Sequence, residues 1–495
     1  MQTHIKFVLF LFVPLVIDGK KFQFGRSKHG NLGEPAGYNG EPLPPEQWFT
    51  QKLDHFRPTD LHTWKQRYFV NDSFYDFNNP GPVFLMIGGE GPANPKWMVK
   101  GAWIEYAKKF KALCINLEHR YYGKSQPTID LSTKNLQYLS SSQALADLAN
   151  FIGAMNIKFR LRNNVKWIAF GGSYPGSLAA WLRLKYPHLV YGAVSSSGPL
   201  LAKVNFMEYY EVVVEALREK TGDELCVEQL KAAHNQLVAM MNTKPDVVEK
   251  EFKLCKPLKD ASELDIRNFY SSIADEFADL VQYNDDNRIT ADRTARHINI
   301  NSVCDMLTEP GSASALHRLA EFSTLMLAES NETCLDYSYD NMIKTLRNTS
   351  HGSGEGSEGG RQWLYQTCTE FGFYQTTAAE PEVFGDMLTL DFFVRQCQDV
   401  FGHKFDGALV GAAARWTNLA YGALESGARR VVYVHGSVDP WHALGITATL
   451  DGDSPAIYIR GTAHCANMYP SSPDDPSELV MARVQIAQYL DQWVG

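Results

Sequence analysis

The sequence of 495 residues predicts an α/β fold: a parallel sheet with helices on its faces, broken by a large helical, disulfide-containing insertion. Three observations carry this. From about residue 45 to 200, apolar strand-like runs alternate with helical stretches, and from about 205 to 405 the texture becomes helical and the cysteines gather. Strand texture then returns near residue 430. One sheet interrupted by one insertion accounts for this order better than three tandem domains, and no internal repeat is present. The expected division is a leader over residues 1–19, sheet domain over 45–204, helical insertion over 205–405 and sheet domain again over 406–495.

Each element has its own justification. The opening MQTHIKFVLFLFVPLVIDG carries a positive charge at Lys6, an apolar stretch from Phe7 to Ile17 and a small residue at Gly19, the layout of a secretory signal peptide. That stretch is too short to span a bilayer, and no later segment offers ~20 uninterrupted apolar residues. The mature chain is therefore expected in the secretory pathway, outside the cell or in a lysosomal or vesicular lumen. Asn71-Asp72-Ser73, Asn331-Glu332-Thr333 and Asn348-Thr349-Ser350 are N-glycosylation sequons that agree with export. PVFLMIGGEGP, ALCINLEHRYYG, VKWIAFGGSYPG and YGAVSSSGP then read as strands that each end in a Gly-rich or polar turn.

The insertion begins with FMEYYEVVVEALREK and CVEQLKAAHNQLVAMM, both at helical spacing. Six of the eight cysteines, Cys226, Cys255, Cys304, Cys334, Cys368 and Cys397, lie within it. There is no Cys-x-x-Cys pair and no Cys/His zinc spacing, so disulfides explain them better than a metal, in a connectivity that spacing does not fix. NTSHGSGEGSEGGRQ is Gly/Ser-rich and reads as a loop. RRVVYVHGSVDP and SPAIYIRGTAHC restore the strands. The net charge of -9, with Lys and Arg spread along the chain, leaves no basic footprint for nucleic acid.

The chemistry centres on VKWIAFGGSYPGSLAAWLRLKYP, a buried strand, a sharp turn with Ser173 at its apex, and a helix. The nucleophile elbow of an α/β-hydrolase needs a small residue two before the serine, because helix and strand cross closely there, and Gly171 supplies it. The usual glycine two after the serine is replaced by Pro175, which fits a first helical turn although it disfavours a helical Tyr174. A serine hydroxyl is a poor nucleophile until a neutral imidazole takes its proton and a carboxylate fixes that imidazole's tautomer. In this fold the order along the chain is Ser, Asp, His, and Asp439 and His464 each follow a late strand, at the carboxyl edge where ligands meet an open sheet.

Rival residues form no second complete set. His442, three after Asp439, reads as a surface or loop-packing residue; His435 precedes the aspartate and points into the strand; His119 and Ser195-Ser196-Ser197 end strands without partners in the right order. One oxyanion donor is the Tyr174 amide, which proline at 175 does not remove. The other is expected in FLMIGGEGPANP, where Gly88, Gly89 and Gly91 let the backbone approach a carbonyl and the amide of Gly89 or Glu90 faces the developing charge. The plain alternative is an ordinary Gly-rich turn. LEHRYYGKSQP is either cleft lining or a structural ion-pair network of Glu118, Arg120 and Tyr121.

Taken together, GGSYPGSLAAWLRLKYPHL, LEHRYYGKSQP, HGSVDPWHALG and GTAHC resemble the lysosomal Pro-Xaa carboxypeptidase and dipeptidyl peptidase II family of serine peptidases, most closely its thymus-specific serine protease branch, from Gln51 to the last helix. The resemblance implies an α/β-hydrolase with a helical cap after the sixth strand, a triad of Ser173, Asp439 and His464, and peptide substrates. It also implies disulfides Cys226 to Cys304, Cys255 to Cys334 and Cys368 to Cys397, with Cys114 and Cys465 left as thiols. The best-known exopeptidases of the family have Asn-Glu-Gly where this chain has Gly89-Glu90-Gly91, and glycine where it has Pro175. WLYQTCTEFGFYQT resembles the family's cap wall over the primary pocket, so Trp363, Tyr365, Glu370 and Trp441 are expected pocket residues, with filling of the cap's own core as the alternative. Capture of a free amine needs a carboxylate such as Glu90 or Glu370, and capture of a terminal carboxylate needs an Arg or Lys; both types occur near the expected cleft. The expected reaction is acyl-enzyme peptide hydrolysis, with cleavage from a chain end and a post-proline preference, needing neither metal nor organic cofactor. A lipase or esterase of the same fold and a catalytically silent binding protein are the alternatives; the oligomeric state, a homodimer included, stays open.

Overall fold

The computed structural model describes residues 32–285, 298–311, 313–351 and 359–495. The leader at residues 1–19 and the middle of the Gly/Ser-rich stretch lie outside the described residues. Six parallel strands form the body of one sheet: β3 (Val83–Ile87), β4 (Leu113–Leu117), β5 (Trp167–Gly172), β6 (Gly192–Ser196), β9 (Val431–Gly436) and β10 (Ala456–Ile459). Two antiparallel strands, β1 (Gln47–Lys52) and β2 (Thr63–Asn71), extend one edge, giving the order β1-β2-β4-β3-β5-β6-β9-β10. From β3 to β9 every residue of the six-strand body is buried, because helices cover both faces and leave no polar side to the sheet. The antiparallel edge was not expected from the sequence. Of the exposed positions in QWFTQK and TWKQRYFVN, Thr50, Lys52, Thr63 and Lys65 are polar and Trp48 is not.

Helices α1 (Ala102–Phe110), α2 (Ser141–Lys158) and α3 (Tyr174–Lys185) are crossover helices of this sheet. Leu85, Ile115 and Ala169 point to the face packed by Leu148, Phe151, Leu178 and Trp181. Alternate residues Phe84, Ile168 and Phe170 point to the other, against Trp103 and the C-terminal helix Ser477–Val494. Among the described residues no helix is long and apolar enough to cross a membrane.

Between β6 and β9 the chain leaves the sheet. Long helices Glu208–Thr221, Leu225–Thr243, Glu263–Gln282 and Ala315–Glu329 pack on one another, and disulfides join Cys226 to Cys304, Cys255 to Cys334 and Cys368 to Cys397. Cys114 and Cys465 are buried thiols. The insertion is not purely helical: β7 (Lys203–Asn205) and β8 (Gly372–Tyr374) pair in parallel beneath it. Helix Gly407–Tyr421 brings the chain back, its Tyr421 ring stacked on Trp181 of α3 at 4.1 Å. Of the sequon asparagines, Asn331 and Asn348 are exposed, whereas Asn71 is half-buried and its Nδ2 donates to the Met98 carbonyl at 2.7 Å.

Candidate active site

Ser173 sits between the last residue of β5 and the first of α3 with φ 64° and ψ -136°, a conformation that a residue with a side chain adopts only under constraint. The constraints are visible. The Ser173 amide donates to the Ser196 carbonyl at 2.9 Å, and the Ser173 carbonyl accepts from the Gly176 amide at 2.8 Å. A Cβ at Gly171 would lie 2.0 Å from the Pro175 carbonyl oxygen, and one at Gly176 would lie 2.6 Å from that of Ser196. Only glycine fits at either place, so the serine is held up at the carboxyl edge of the sheet by tight crossing below it.

Asp439 and His464 follow β9 and β10 onto the same edge. Asp439 caps the short turn Pro440–Leu444, its Oδ1 accepting from the Trp441 amide at 3.1 Å and standing 2.8 Å from His464 Nδ1. Both side chains are fully buried. Burial alone would push the Asp439 carboxyl up, but the imidazole's charge and hydrogen bond hold it below the usual carboxylate range. Burial likewise opposes a charged His464, and the Asp439 carboxylate outweighs it and raises the imidazole. Nδ1 is thereby the protonated nitrogen; Nε2 is buried and has no hydrogen-bond partner among the described residues. The histidine and serine loops interlock: a Cβ at Gly172 would lie 2.9 Å from Cys465 Sγ, and the Cys465 amide donates to Ser197 Oγ at 2.9 Å.

The loop after β3 lies beside the elbow. Its ends are tied down by Gly88 N–H to the Leu117 carbonyl and by Ala93 N–H to Glu118 Oε1, both at 2.9 Å. Neither the Gly89 nor the Tyr174 amide donates to an acceptor among the described residues. Glu118 is buried against Arg67, Ser125 and the Lys124 amide, while Arg120 forks onto Asp147 with both contacts at 2.6 Å. Of the two readings of LEHRYYGKSQP, the ion-pair network is the one built for Glu118 and Arg120; Tyr121 instead donates to the Asn135 carbonyl. His119, pushed down to about 4 by burial, is a neutral ring 3.1 Å from the Tyr174 hydroxyl.

Residues 51–486 match the model of a family described as serine carboxypeptidase S28. The chain belongs to this family. It is a serine-type peptidase of the α/β-hydrolase fold, and its substrates are peptides. A putative serine protease of Caenorhabditis elegans is 38% identical, the match covering 98% of this chain and 94% of the relative. The thymus-specific serine protease of Mus musculus is 35% identical over 96% and 92% of the two chains. The lysosomal Pro-X carboxypeptidase of Homo sapiens is 28% identical over 90% and 88%.

In this S28 peptidase the four expected pocket residues separate. Trp363 and Trp441 line one small cavity with Phe373, Tyr374 and Phe393, the Trp441 ring edge-on to Phe373 at 5.3 Å. Tyr365 and Glu370 do not line it. Tyr365 packs into the cap's own core, its ring 5.3 Å from Phe401. The Glu370 carboxylate accepts from the Ser141 amide at 2.9 Å, the Ser141 hydroxyl at 2.6 Å and Gln366 Nε2 at 3.2 Å, so it caps α2 instead of awaiting an amine. Glu90 lines a separate cavity walled by its own loop after β3 together with Trp97, Asn116, Gly172 and Pro175. His442 rests on Tyr458 at 5.4 Å, and buried His435 is pushed down to about 4 by desolvation with its ring pressed against Gly445. Sequence reasoning missed Gln282 and Gln366. The Gln282 carbonyl accepts the His464 amide at 3.0 Å and its Oε1 accepts Trp441 Nε1 at 2.9 Å; Gln366 Nε2 donates to the Tyr174 hydroxyl at 3.1 Å. Partners more than 150 positions apart in the chain leave no local pattern to read.

Proposed function

We propose that this peptidase trims short or terminal peptide segments, with a post-proline preference, by acyl transfer through Ser173. His464 Nε2 takes the hydroxyl proton as Ser173 attacks the carbonyl, while Asp439 stabilises the imidazolium that forms. The Tyr174 and Gly89 amides receive the oxyanion, and His464 returns its proton to the leaving amine. Water then releases the acyl group by the same route. The observation that carries the reading is the buried Asp439–His464 contact of 2.8 Å beside a serine held at φ 64°. The cap supports action on short or terminal segments, since it would exclude folded chains from the cleft. The aromatic walls of Trp363 and Trp441 support a flat apolar ring such as proline. Disulfides, the sequons and the leader-like opening support a secretory or lysosomal lumen.

Two measurements test this. A fluorophosphonate probe is expected to label the protein, and Ser173→Ala to abolish both labelling and turnover. Mass spectrometry of a mixed peptide library is expected to find products shortened at one end, enriched after proline. Cleavage of an intact globular protein at internal sites would overturn the trimming reading.

A further inference from the structure

Gly89 is not a glycine for the sake of its backbone angles, since its φ lies outside the positive region. What excludes a side chain there is space. A Cβ at 89 would lie 2.4 Å from Cγ and 2.7 Å from Cδ of Pro175, so the pyrrolidine ring fills the volume that any side chain at 89 would need. The ring has no flexible end to swing away. Its own carbonyl is wedged against Gly171, where an added Cβ would meet it at 2.0 Å. The loop cannot easily retreat either, because Gly88 and Ala93 are pinned on both sides of it. Position 175 directly follows Tyr174, whose amide is one expected oxyanion donor; position 89 carries the other.

We propose that Pro175 and Gly89 act as one unit, in which the Pro175 ring is a positioning residue that sets the separation of the two oxyanion-hole amides. The inference rests on the proposed role of Ser173. A side chain at 89 and a ring at 175 compete for one volume, and the ring occupies it.

The test is a double-mutant cycle of Gly89→Ala and Pro175→Gly on the full chain, read by kcat and KM for peptide hydrolysis, fluorophosphonate labelling rate and thermal melting. Gly89→Ala alone is expected to cut kcat by about 10²-fold while KM moves less than about threefold, the signature of lost transition-state stabilisation. Pro175→Gly alone is expected to lower kcat with little change in KM, because the ring no longer sets the loop, and an unchanged kcat would overturn its positioning role; in that background Gly89→Ala is expected to cost almost nothing further, because the volume has been vacated. Equal losses in both backgrounds, or a loss confined to KM or melting temperature, would overturn the pairing. Should Gly89→Ala fail to fold, the double variant must still fold and match Pro175→Gly in kcat; its failure to do so overturns the pairing as well. If the unsubstituted protein shows no Ser173-dependent labelling, the role of Ser173 itself falls, an outcome distinct from additive losses in a protein that labels normally.

Discussion

Burial and charge oppose each other at Asp439 and His464, and the balance between them sets a pH dependence. The His464 imidazole is raised above its unfolded value, so its contribution to stability is complete below about pH 6.5 and is lost as pH rises through the folded value. The Asp439 carboxyl is depressed, so the contribution is complete above about pH 3.9 and lost as pH falls through the folded value. The two statements describe one interaction seen from its two ends. Asp439→Asn is expected to lower kcat by about 10⁴-fold, since the tautomer and the imidazolium both lose their support. With the carboxylate gone, desolvation is left to act on His464, and the ascending limb of kcat/KM should move to lower pH. Rate profiles of the two proteins check this; a limb that does not move would show that Asp439 is not what raises the imidazole. Melting curves should agree, with the advantage of the native protein over Asp439→Asn greatest between the two limits.

Among the elements, the start of α2 shows how far the sequence could be read. Ser140 is a recognisable N-cap, its hydroxyl oxygen accepting the Gln143 amide at 3.2 Å. The neighbouring Ser141 amide is capped by Glu370, which lies 229 positions away and looked like a pocket carboxylate. The same contrast runs through the fold. The six parallel strands were legible because each is an apolar run closed by a turn residue, and Ser173, Asp439 and His464 because each follows such a strand. β1 and β2 were not, since β1 lies at the edge of the sheet, the exposed positions of the two strands together mix polar with apolar residues, and their antiparallel pairing comes from a partner and not from their own composition. Burial raises the Glu370 carboxyl above its ordinary value of 4.5 despite the Ser141 and Gln366 hydrogen bonds. A carboxyl raised in the fold favours the folded chain most below the unfolded pKa, and that advantage shrinks as pH rises through the folded value. Glu370→Gln cannot titrate. Its melting temperature should therefore fall furthest behind the native protein near pH 4 and recover ground toward pH 7, as a thermal scan across that range would record; a gap that widens toward neutral pH would mean the carboxylate is net stabilised where it sits.

For the whole molecule the question is whether sheet and cap act as one body. Asp439 and His464 are carried by sheet strands, yet the cap helix Glu263–Gln282 ends on them, through the Gln282 carbonyl at the His464 amide and the Gln282 side chain at Trp441. The cap in turn is closed by two interleaved disulfides, Cys226–Cys304 and Cys255–Cys334, which span 78 and 79 residues. Loops of that length restrict the unfolded cap by about 4–5 kcal/mol each in the chain-entropy account, less when both are present because the loops overlap. These bonds act on the cap alone, in addition to an apolar core that runs continuously from the cap into one face of the sheet. Replacing Cys226 and Cys304 together by alanine is expected to separate cap from sheet. Hydrogen exchange should quicken in the helices between residues 208 and 329 while β3 to β6 stay protected. Peptide turnover should fall in step with the loss of cap protection, because His464 and Trp441 lose the Gln282 contacts that orient them. Undiminished turnover in a protein whose cap exchanges freely would place the whole of the histidine's orientation in Asp439 and the sheet, and would reduce the Gln282 contacts to packing.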